Sequence, residues 1–306
     1  MTLAFILIPI IILGILGISY IAAYKTLHKT RQSLKRTPAD YGLAYEEISF
    51  YSKEGYLLKG WWIAGKSDKV IIVTHGYASN RAGWVGVDKE GNEHYLDWMG
   101  VAPELVKEGY SMLYFDMRAS GVSEGDLITL AKEEAGDLVA AVQWQLQNKG
   151  KKKIGLLGFS LGANVALRGS RILKKLEKSN KIDKLSLIVI GPYIYTTMVR
   201  KSLSYWTTLP SFFAPFIRYF AKMILGFNPS KEINPENYIN ELEDTPILFI
   251  QSENDEIGDV DDVLKIHDAY KGKKEITIIP NATRFIHYNY PKDNADKLIK
   301  FYNNNL

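Results

Sequence analysis

Hydrophobic and polar positions along the chain form two patterns, one long apolar run at the start and many short apolar runs after it. Residues 2–24 carry no charged side chain, and a helix of about 20 residues is long enough to cross a bilayer. A cleaved secretory peptide would have basic residues before a shorter apolar run, whereas the first basic residue here is Lys25. We therefore predict an uncleaved transmembrane anchor over residues 1–24.

The segment after the anchor, residues 25–44, is predicted to be a basic linker. Its first half contains several basic residues and no acidic residue: Lys25, Lys29, Arg31, Lys35 and Arg36. Basic residues beside a membrane span usually stay on the cytoplasmic side, so we expect a single-pass protein with its C-terminal domain there. Tyr20 and Tyr24 fit an interfacial aromatic belt, and the basic residues either contact anionic lipid or act only as a topology signal.

The rest of the chain, residues 45–306, alternates between strand and helix patterns. The half-buried alternation of residues 45–64 predicts a β-hairpin, and the unbroken apolar run of residues 69–74 is typical of a strand covered by helices on both faces. Further strands are predicted over residues 110–116, 154–157, 185–190, 246–250 and 275–279, and helices over residues 101–108, 132–148, 260–270 and 295–302. This order indicates the α/β class, with a mostly parallel sheet flanked by helices.

Two stretches interrupt the alternation. Residues 81–97 form an insertion rich in Gly, Asp and Trp, and residues 193–245 show no clear strand pattern. The second stretch combines prolines with clustered aromatic residues: Trp206, Phe212, Phe213, Phe216, Tyr219, Phe220 and Phe227. We predict that it forms the helices of a cap inserted into the domain.

Composition narrows the classes of function. The chain has 306 residues, of which 46% are hydrophobic, which suits one large α/β domain with an appendage or two small domains. It contains no cysteine, and this excludes disulfides, thiolate metal sites and a thiol nucleophile. The formal charge of +4 is concentrated in residues 25–36, so a nucleic-acid partner is not indicated. The sequence indicates no cofactor or metal ion and leaves the oligomeric state open.

One short motif predicts a reactive serine. Gly158-Phe-Ser160-Leu-Gly162 lies between a predicted buried strand and a predicted helix. At such a junction the glycines let the chain turn sharply and let strand and helix approach closely, while the serine oxygen is held exposed in a strained conformation. The alternative is an ordinary turn, because small residues cluster in many loops.

A serine hydroxyl becomes nucleophilic at neutral pH only when a histidine accepts its proton. Of the histidines, His28 lies in the linker, His94 in the first insertion and His267 within a predicted surface helix. His75 ends a strand, where it more plausibly shapes a loop. His287 is predicted in a loop between the last strand and the final helix, which makes it the best candidate base.

An acid that orients this histidine is predicted in the polar turn after the strand that ends at Ile250. Asp255 is the preferred residue, with Glu253 and Asp259 as competitors, since acids in such turns often cap the next helix. The oxyanion of an acyl-transfer reaction also needs backbone N–H donors. Leu161, at the start of a helix, and Tyr77, in the loop after the first buried strand, are the candidate donors.

In this order of Ser160, Asp255 and His287, residues 45–303 resemble the α/β-hydrolase superfamily. The resemblance implies the α/β-hydrolase fold and a serine hydrolase acting on esters, thioesters or amides. The segment from Asp116 to Gly125 is similar to the Asp-x-Arg-Gly-x-Gly-x-Ser loop of the branch that contains membrane-anchored serine hydrolases and prolyl-oligopeptidase-like esterases. It departs from that pattern at Ala119 and Ser120.

The leading hypothesis from the sequence is a membrane-anchored serine esterase for a small-molecule acyl substrate, with residues 2–24 in the lipid bilayer. The cap aromatics would then line an acyl pocket, or alternatively form only the core of the cap. A peptidase or an acyltransferase on the same fold is the second hypothesis, although the chain is too short to include a propeller domain. A non-catalytic binding protein that keeps the fold is the third.

Overall fold

An eight-stranded sheet forms the centre of the fold in a computed structural model that describes residues 2–88 and 90–306. Met1, part of the predicted anchor, lies outside the described residues. The strands are β1 (Glu46–Tyr51), β2 (Leu57–Ile63), β3 (Lys69–Thr74), β4 (Gly83–Val87), β5 (Glu93–Asp97), β6 (Ser111–Phe115), β7 (Lys153–Phe159), β8 (Lys184–Ile190), β9 (Ile247–Ser252) and β10 (Lys274–Ile279). The sheet order is β1-β2-β6-β3-β7-β8-β9-β10, and β4 pairs with β5 in a separate hairpin. In this order, every pair from β6 to β10 is parallel. Strand β2 is antiparallel to both of its neighbours, β1 and β6, so the mostly parallel sheet predicted from the sequence is confirmed.

Helices cover both faces of the sheet. They are α1 (Thr2–Leu27), α2 (Ala102–Lys107), α3 (Glu134–Asn148), α4 (Leu161–Lys178), α5 (Tyr195–Trp206), α6 (Ala214–Leu225), α7 (Pro229–Glu232), α8 (Val260–Ala269), α9 (Arg284–Asp293) and α10 (Ala295–Asn305). The central strands β3, β7 and β8 are apolar on both sides and almost fully buried. Two hydrophobic cores, one on each face, hold the parallel strands so that their carboxyl ends meet at one edge.

Residues 193–245 contain helices α5 to α7 and three short 3-10 turns. The aromatic residues of this region divide into two groups. Phe213 and Phe227 are buried, and Phe220 packs against the same core. The others lie on the surface: Trp206, Phe212, Phe216 and Tyr219. The prediction that the aromatics form the core of the cap therefore describes the first group, and the second group needs a separate explanation.

Helix α1 continues beyond the predicted end of the anchor, to Leu27. It is long and apolar enough to cross a membrane from Leu7 to Leu27, a property that signal sequences share. Residues 7–14 are exposed, whereas Ser19, Ala23 and Leu27 are buried against the domain. The last part of α1 is thus a packed element of the fold.

The linker contacts the domain, with residues 29–37 outside regular secondary structure and Pro38–Tyr41 in a 3-10 helix. Arg31 donates hydrogen bonds to the carbonyl groups of Ser123 and Gly125, and Gln32 exchanges two hydrogen bonds with the backbone of Val85 in β4. Arg36 lies 3.5 Å from the buried carboxylate of Asp97. Two of the five basic residues of the linker therefore contact protein, while Lys25, Lys29 and Lys35 are exposed.

Two elements differ from the sequence-based prediction. The insertion at residues 81–97 forms the hairpin β4–β5, and the predicted loop around His287 is the helix α9. Residues 284–293 include aromatic residues and a proline, which have poor helix propensity. Packing of Phe285 and Tyr288 into the core stabilises the helix instead, because burial of an apolar face outweighs local propensity.

Candidate active site

The turn between β7 and α4 holds Ser160 at the carboxyl edge of the sheet. Its backbone has φ 52° and ψ −113°, a conformation that costs a residue with a side chain about 1–3 kcal/mol. The Ser160 N–H donates to the carbonyl of Ile190 at 2.8 Å, which ties the turn to the end of β8. The Ser160 side chain is half-buried, whereas its strand and the first turn of α4 are buried.

The two glycines of the motif are required by close backbone contacts. A Cβ atom on Gly162 would lie 2.0 Å from the carbonyl oxygen of Thr74, at the end of β3. A Cβ atom on Gly158 would lie 2.5 Å from the carbonyl oxygen of Gly162. The Thr74 hydroxyl also donates to the Gly162 carbonyl at 2.8 Å. The chain can therefore turn here only with glycine at both positions.

Asp255 occupies the turn after β9, and its side chain is buried. One carboxylate oxygen accepts hydrogen bonds from the N–H groups of Ile257 and Gly258, at 2.8 and 3.0 Å. The competing acids have other roles, since Glu253 accepts from the Asn281 N–H at the surface and Asp259 caps α8. Among the three acids, Asp255 is the one that faces His287.

His287 is fully buried on the first turn of α9. Its Nε2 atom lies 3.6 Å from the second carboxylate oxygen of Asp255, and its Nδ1 atom lies 2.6 Å from the Ser252 hydroxyl. Burial lowers the pKa of His287 to about 4, Asp255 opposes this change, and Arg284 adds to it. The imidazole is therefore neutral at pH 7 and able to accept a proton.

Ser160 has Tyr288 rather than His287 as its neighbour. The two hydroxyl groups are close enough to interact by hydrogen bonding. Gly191, with φ 63°, follows β8 in the chain and lies against α9. A Cβ atom there would lie 2.7 Å from the Tyr288 hydroxyl oxygen and 2.9 Å from His287 Nε2. The structure thus brings Asp255 and His287 together, while the hydrogen-bond partner of the imidazole is Ser252 and not Ser160.

The two candidate oxyanion donors follow the ends of two neighbouring strands, β7 and β3. Leu161 begins α4, and Tyr77 follows the end of β3. Neither N–H group donates a backbone hydrogen bond among the described turns and loops. The Tyr77 side chain points away from the site, and its hydroxyl donates to the Thr26 carbonyl of α1 at 2.7 Å.

The loop that carries Tyr77 is fixed by His75. Nδ1 of this buried histidine contacts the Gly76 carbonyl at 2.8 Å, and Nε2 accepts from the Met117 N–H at 3.1 Å. Burial lowers the pKa of His75, so the ring is neutral. The prediction that His75 shapes a loop is confirmed.

Comparisons with known proteins agree with this arrangement. A family profile described as the alpha/beta hydrolase fold matches residues 69–188. The structure is similar to that of the Pyrococcus furiosus esterase Pf2001, with 29% identity, a TM-score of 0.71, and coverage of 92% of this chain and 99% of the esterase. The chain has the α/β-hydrolase fold. It is also similar to the Bacillus subtilis protein YqkD, described as uncharacterized, which is 25% identical over 83% of this chain and 78% of its own length.

A more distant α/β hydrolase supports the fold alone. A Xanthomonas campestris serine hydrolase described as lacking a lid is 17% identical, with a TM-score of 0.52 over 84% of this chain and 93% of its own.

The loop that resembles one branch of the α/β-hydrolase superfamily is built around Asp116. Its carboxylate accepts from the N–H groups of Arg81 and Val122, and a Cβ atom on Gly121 would lie 2.2 Å from it. Ala119, which replaces a glycine of the pattern, has φ 56°. The loop therefore keeps a left-handed residue at this position, although alanine adopts that conformation less readily.

Two residues of the site could not be identified from the sequence. Ser252 ends β9 without any motif, and Tyr288 becomes visible as a neighbour of Ser160 only when α9 is known to be a helix. Their contacts with His287 and Ser160 join separate elements. No group of three or more metal-ligating side chains occurs among residues 2–88 and 90–306.

Proposed function

We propose that this protein is a membrane-anchored serine esterase. The observation that carries the proposal is the strained Ser160 turn at the carboxyl edge of the sheet, beside a buried pair formed by Asp255 and His287. The likeness to the Pf2001 esterase supports ester hydrolysis. The uncharged residues 2–24 of helix α1 and the basic residues that follow them support the anchor, with the domain on the cytoplasmic side.

In the proposed reaction, Ser160 Oγ attacks the acyl carbon of the ester and gives its proton to the His287 imidazole. The N–H groups of Leu161 and Tyr77 stabilise the oxyanion. The alcohol leaves with the proton from His287, and an acyl-enzyme remains. Water then gives a proton to His287 and attacks the acyl carbon, which releases the acid and restores Ser160. Asp255 holds the imidazole in place and stabilises its protonated form.

This reaction requires the His287 imidazole to change its partners. Its Nδ1 atom contacts the Ser252 hydroxyl and its Nε2 atom faces Asp255. Hydrogen bonds between catalytic groups are often long or misaligned before substrate binds. We propose that substrate displaces the Tyr288 hydroxyl and that the imidazole turns away from Ser252, so that one nitrogen keeps the contact with Asp255 and the other accepts the Ser160 proton.

Labelling with a fluorophosphonate tests the nucleophile. We expect one modified serine, Ser160, and loss of both labelling and ester hydrolysis in Ser160→Ala. Ser252→Ala is the matched control, because Ser252 is fully buried beside the same histidine. Modification of Ser252, or unchanged hydrolysis by Ser160→Ala, would disprove the assignment.

The peptidase, acyltransferase and binding-protein hypotheses make different predictions for the same preparations. A panel of p-nitrophenyl esters and aminoacyl p-nitroanilides separates ester from amide hydrolysis. Product analysis with an added alcohol acceptor detects acyl transfer, which shares the acyl-enzyme. A non-catalytic protein would give equal rates for the wild type and Ser160→Ala.

A further inference from the structure

Helix α6 of the cap carries an exposed apolar stripe. Phe212 precedes the helix, and Phe216, Tyr219 and Met223 follow at intervals of four, three and four residues, which places them on one face. Their exposed fractions are 53%, 38%, 58% and 61%. The opposite face of α6 packs into the cap through Ala214, Ile217 and Ala221. Exposed apolar surface of this extent usually marks an interaction site.

The stripe is continuous with α1. Tyr20 of α1 contacts Phe220 of α6 edge to face, with 5.6 Å between the ring centroids. On a helix, Phe220 lies beside Phe216, at the border of the stripe. The exposed apolar surface of α1 and the stripe of α6 therefore form one surface, and a bilayer that surrounds α1 would also reach α6.

Distances along α1 give the depth at which α6 would meet the bilayer. Tyr20, the residue in contact with Phe220, precedes the first basic residue, Lys25, by five positions, or about 7.5 Å along the helix axis. If Lys25 lies at the level of the lipid headgroups, α6 lies about 5–10 Å deep, which is the depth of interfacial amphipathic helices.

The charges beside the stripe suit a lipid surface. Lys222 is exposed on the edge of α6 away from α1, and Arg218 follows it around the helix. Arg218 and Arg200 line an open cleft of about 290 Å³ together with Ser211 and two threonines. Basic and hydroxyl side chains of this kind bind lipid phosphate groups.

We propose that α6 lies in the cytoplasmic membrane interface, with its stripe in the acyl region and Arg218 and Lys222 at the phosphates, so that the domain rests on the bilayer. This proposal builds on the membrane anchor of the proposed function. It also implies that the loop that carries Tyr77 lies near the bilayer surface, because this loop contacts the end of α1.

The absence of native cysteine allows a direct test with the full-length protein. Single variants Tyr219→Cys and Met223→Cys are labelled with the fluorophore NBD and reconstituted in vesicles of phosphatidylcholine and phosphatidylglycerol. Lipids brominated near the headgroup should quench each label by roughly half. Ile11→Cys, in the middle of the apolar run, reports insertion of α1 with lipids brominated near the ends of the acyl chains, and Ile172→Cys, exposed on α4, is the control that should stay unquenched with either lipid.

The outcomes separate the two proposals. Quenching at residue 11 but not at residues 219 and 223 would overturn docking of α6 and leave the anchor intact. Lack of quenching at all positions would overturn both. Equal quenching at residues 172 and 219 would indicate general adsorption and would also overturn docking of α6. A protein partner on this stripe would leave the labels unquenched in pure lipid, which again contradicts the proposal.

A functional variant gives a second measurement. Tyr219→Glu combined with Met223→Glu places charges on an exposed surface and should leave the fold intact. We expect about tenfold slower hydrolysis of a long-chain ester held in vesicles, with an unchanged rate for a soluble short-chain ester. Ile172→Glu is the matched control. An equal fall in the hydrolysis rate of both substrates, or no fall for either one, would contradict docking of α6.

Discussion

Gly162, in the first turn of α4, contacts the backbone of β3 so closely that a side chain at this position would prevent α4 from packing against β3. In Gly162→Ala, the new Cβ atom would meet the Thr74 carbonyl oxygen at 2.0 Å, and neither backbone can move freely within the core. We expect a loss of stability of about 3 kcal/mol or more, measured by urea unfolding.

Gly136→Ala is the matched control for this substitution. Gly136 lies in α3 with no atom within 4 Å of its would-be Cβ, so alanine should stabilise the protein by about 0.5–1 kcal/mol. A neutral Gly162→Ala would show that the turn is more adaptable than its contacts indicate.

The buried His287 should make stability depend on pH. Its pKa is about 4 in the folded protein, against a reference value of 6.5, so the unfolded chain binds more protons between these values. The contribution of the neutral imidazole to the free energy of unfolding is complete above pH 6.5 and is lost as the pH falls toward 4. Between pH 7 and pH 4.5 we expect the wild type to lose about 2–3 kcal/mol more than His287→Gln.

Urea unfolding at both pH values measures this difference. His267→Gln, which changes a histidine at the surface of α8, should behave like the wild type. Equal acid sensitivity of the wild type and His287→Gln would contradict a buried neutral imidazole.

The sequence predicts which residues form the candidate site more readily than it predicts their contacts. Ser160 is recognisable because strand, glycines and helix are adjacent in the chain, and Asp255 and His287 because each follows a predicted strand. The contacts of His287 with Ser252 and of Ser160 with Tyr288 depend on the position of α9 relative to β8 and β9. Such tertiary geometry leaves no local pattern.

At the level of elements, α9 is held in place by the hairpin β4–β5. His94 of the hairpin stacks on Phe285, with 3.9 Å between ring centroids. Asn289 of α9 accepts from the Asp97 N–H at 3.0 Å and donates to the Tyr95 carbonyl at 3.4 Å. The hairpin therefore sets the position of the helix that carries His287.

Asn289→Ala removes both hydrogen bonds without touching the proposed catalytic residues. We expect kcat for a soluble ester to fall by about tenfold or more, because a displacement near 1 Å reduces proton transfer strongly. Thermal unfolding should change little. Asn148→Ala, at the end of α3, is the control and should keep full activity. A change in KM with an unchanged kcat would argue against a positioning role.

The buried strands of the sheet were predictable because each combines an apolar run with flanking turn residues. The hairpin β4–β5 and helix α9 were not. Strand β4 has two glycines, strand β5 has mostly polar residues, and α9 lacks strong helix formers. The two elements contact each other, and such contacts cannot be inferred from either segment alone.

For the whole molecule, the positive-inside arrangement makes a topological prediction. A protease added to inverted membrane vesicles should digest a C-terminal tag, whereas the tag should be protected in intact spheroplasts. The protein should be extracted by detergent but not by high salt, because an apolar helix rather than charge holds it. Digestion in spheroplasts, or release by salt, would contradict the proposed anchor.

Among the structural features, the bond between Tyr77 and Thr26 has the widest consequence. Together with the buried residues Ala23 and Leu27, it joins the end of α1 rigidly to the loop beside Ser160. Under the proposed anchor, the domain would be held close to the membrane instead of hanging on a flexible linker, and this contact would set the height of Ser160 above the bilayer. Lateral diffusion of the protein and its substrate in two dimensions, rather than swinging of the domain, would then govern how often they meet.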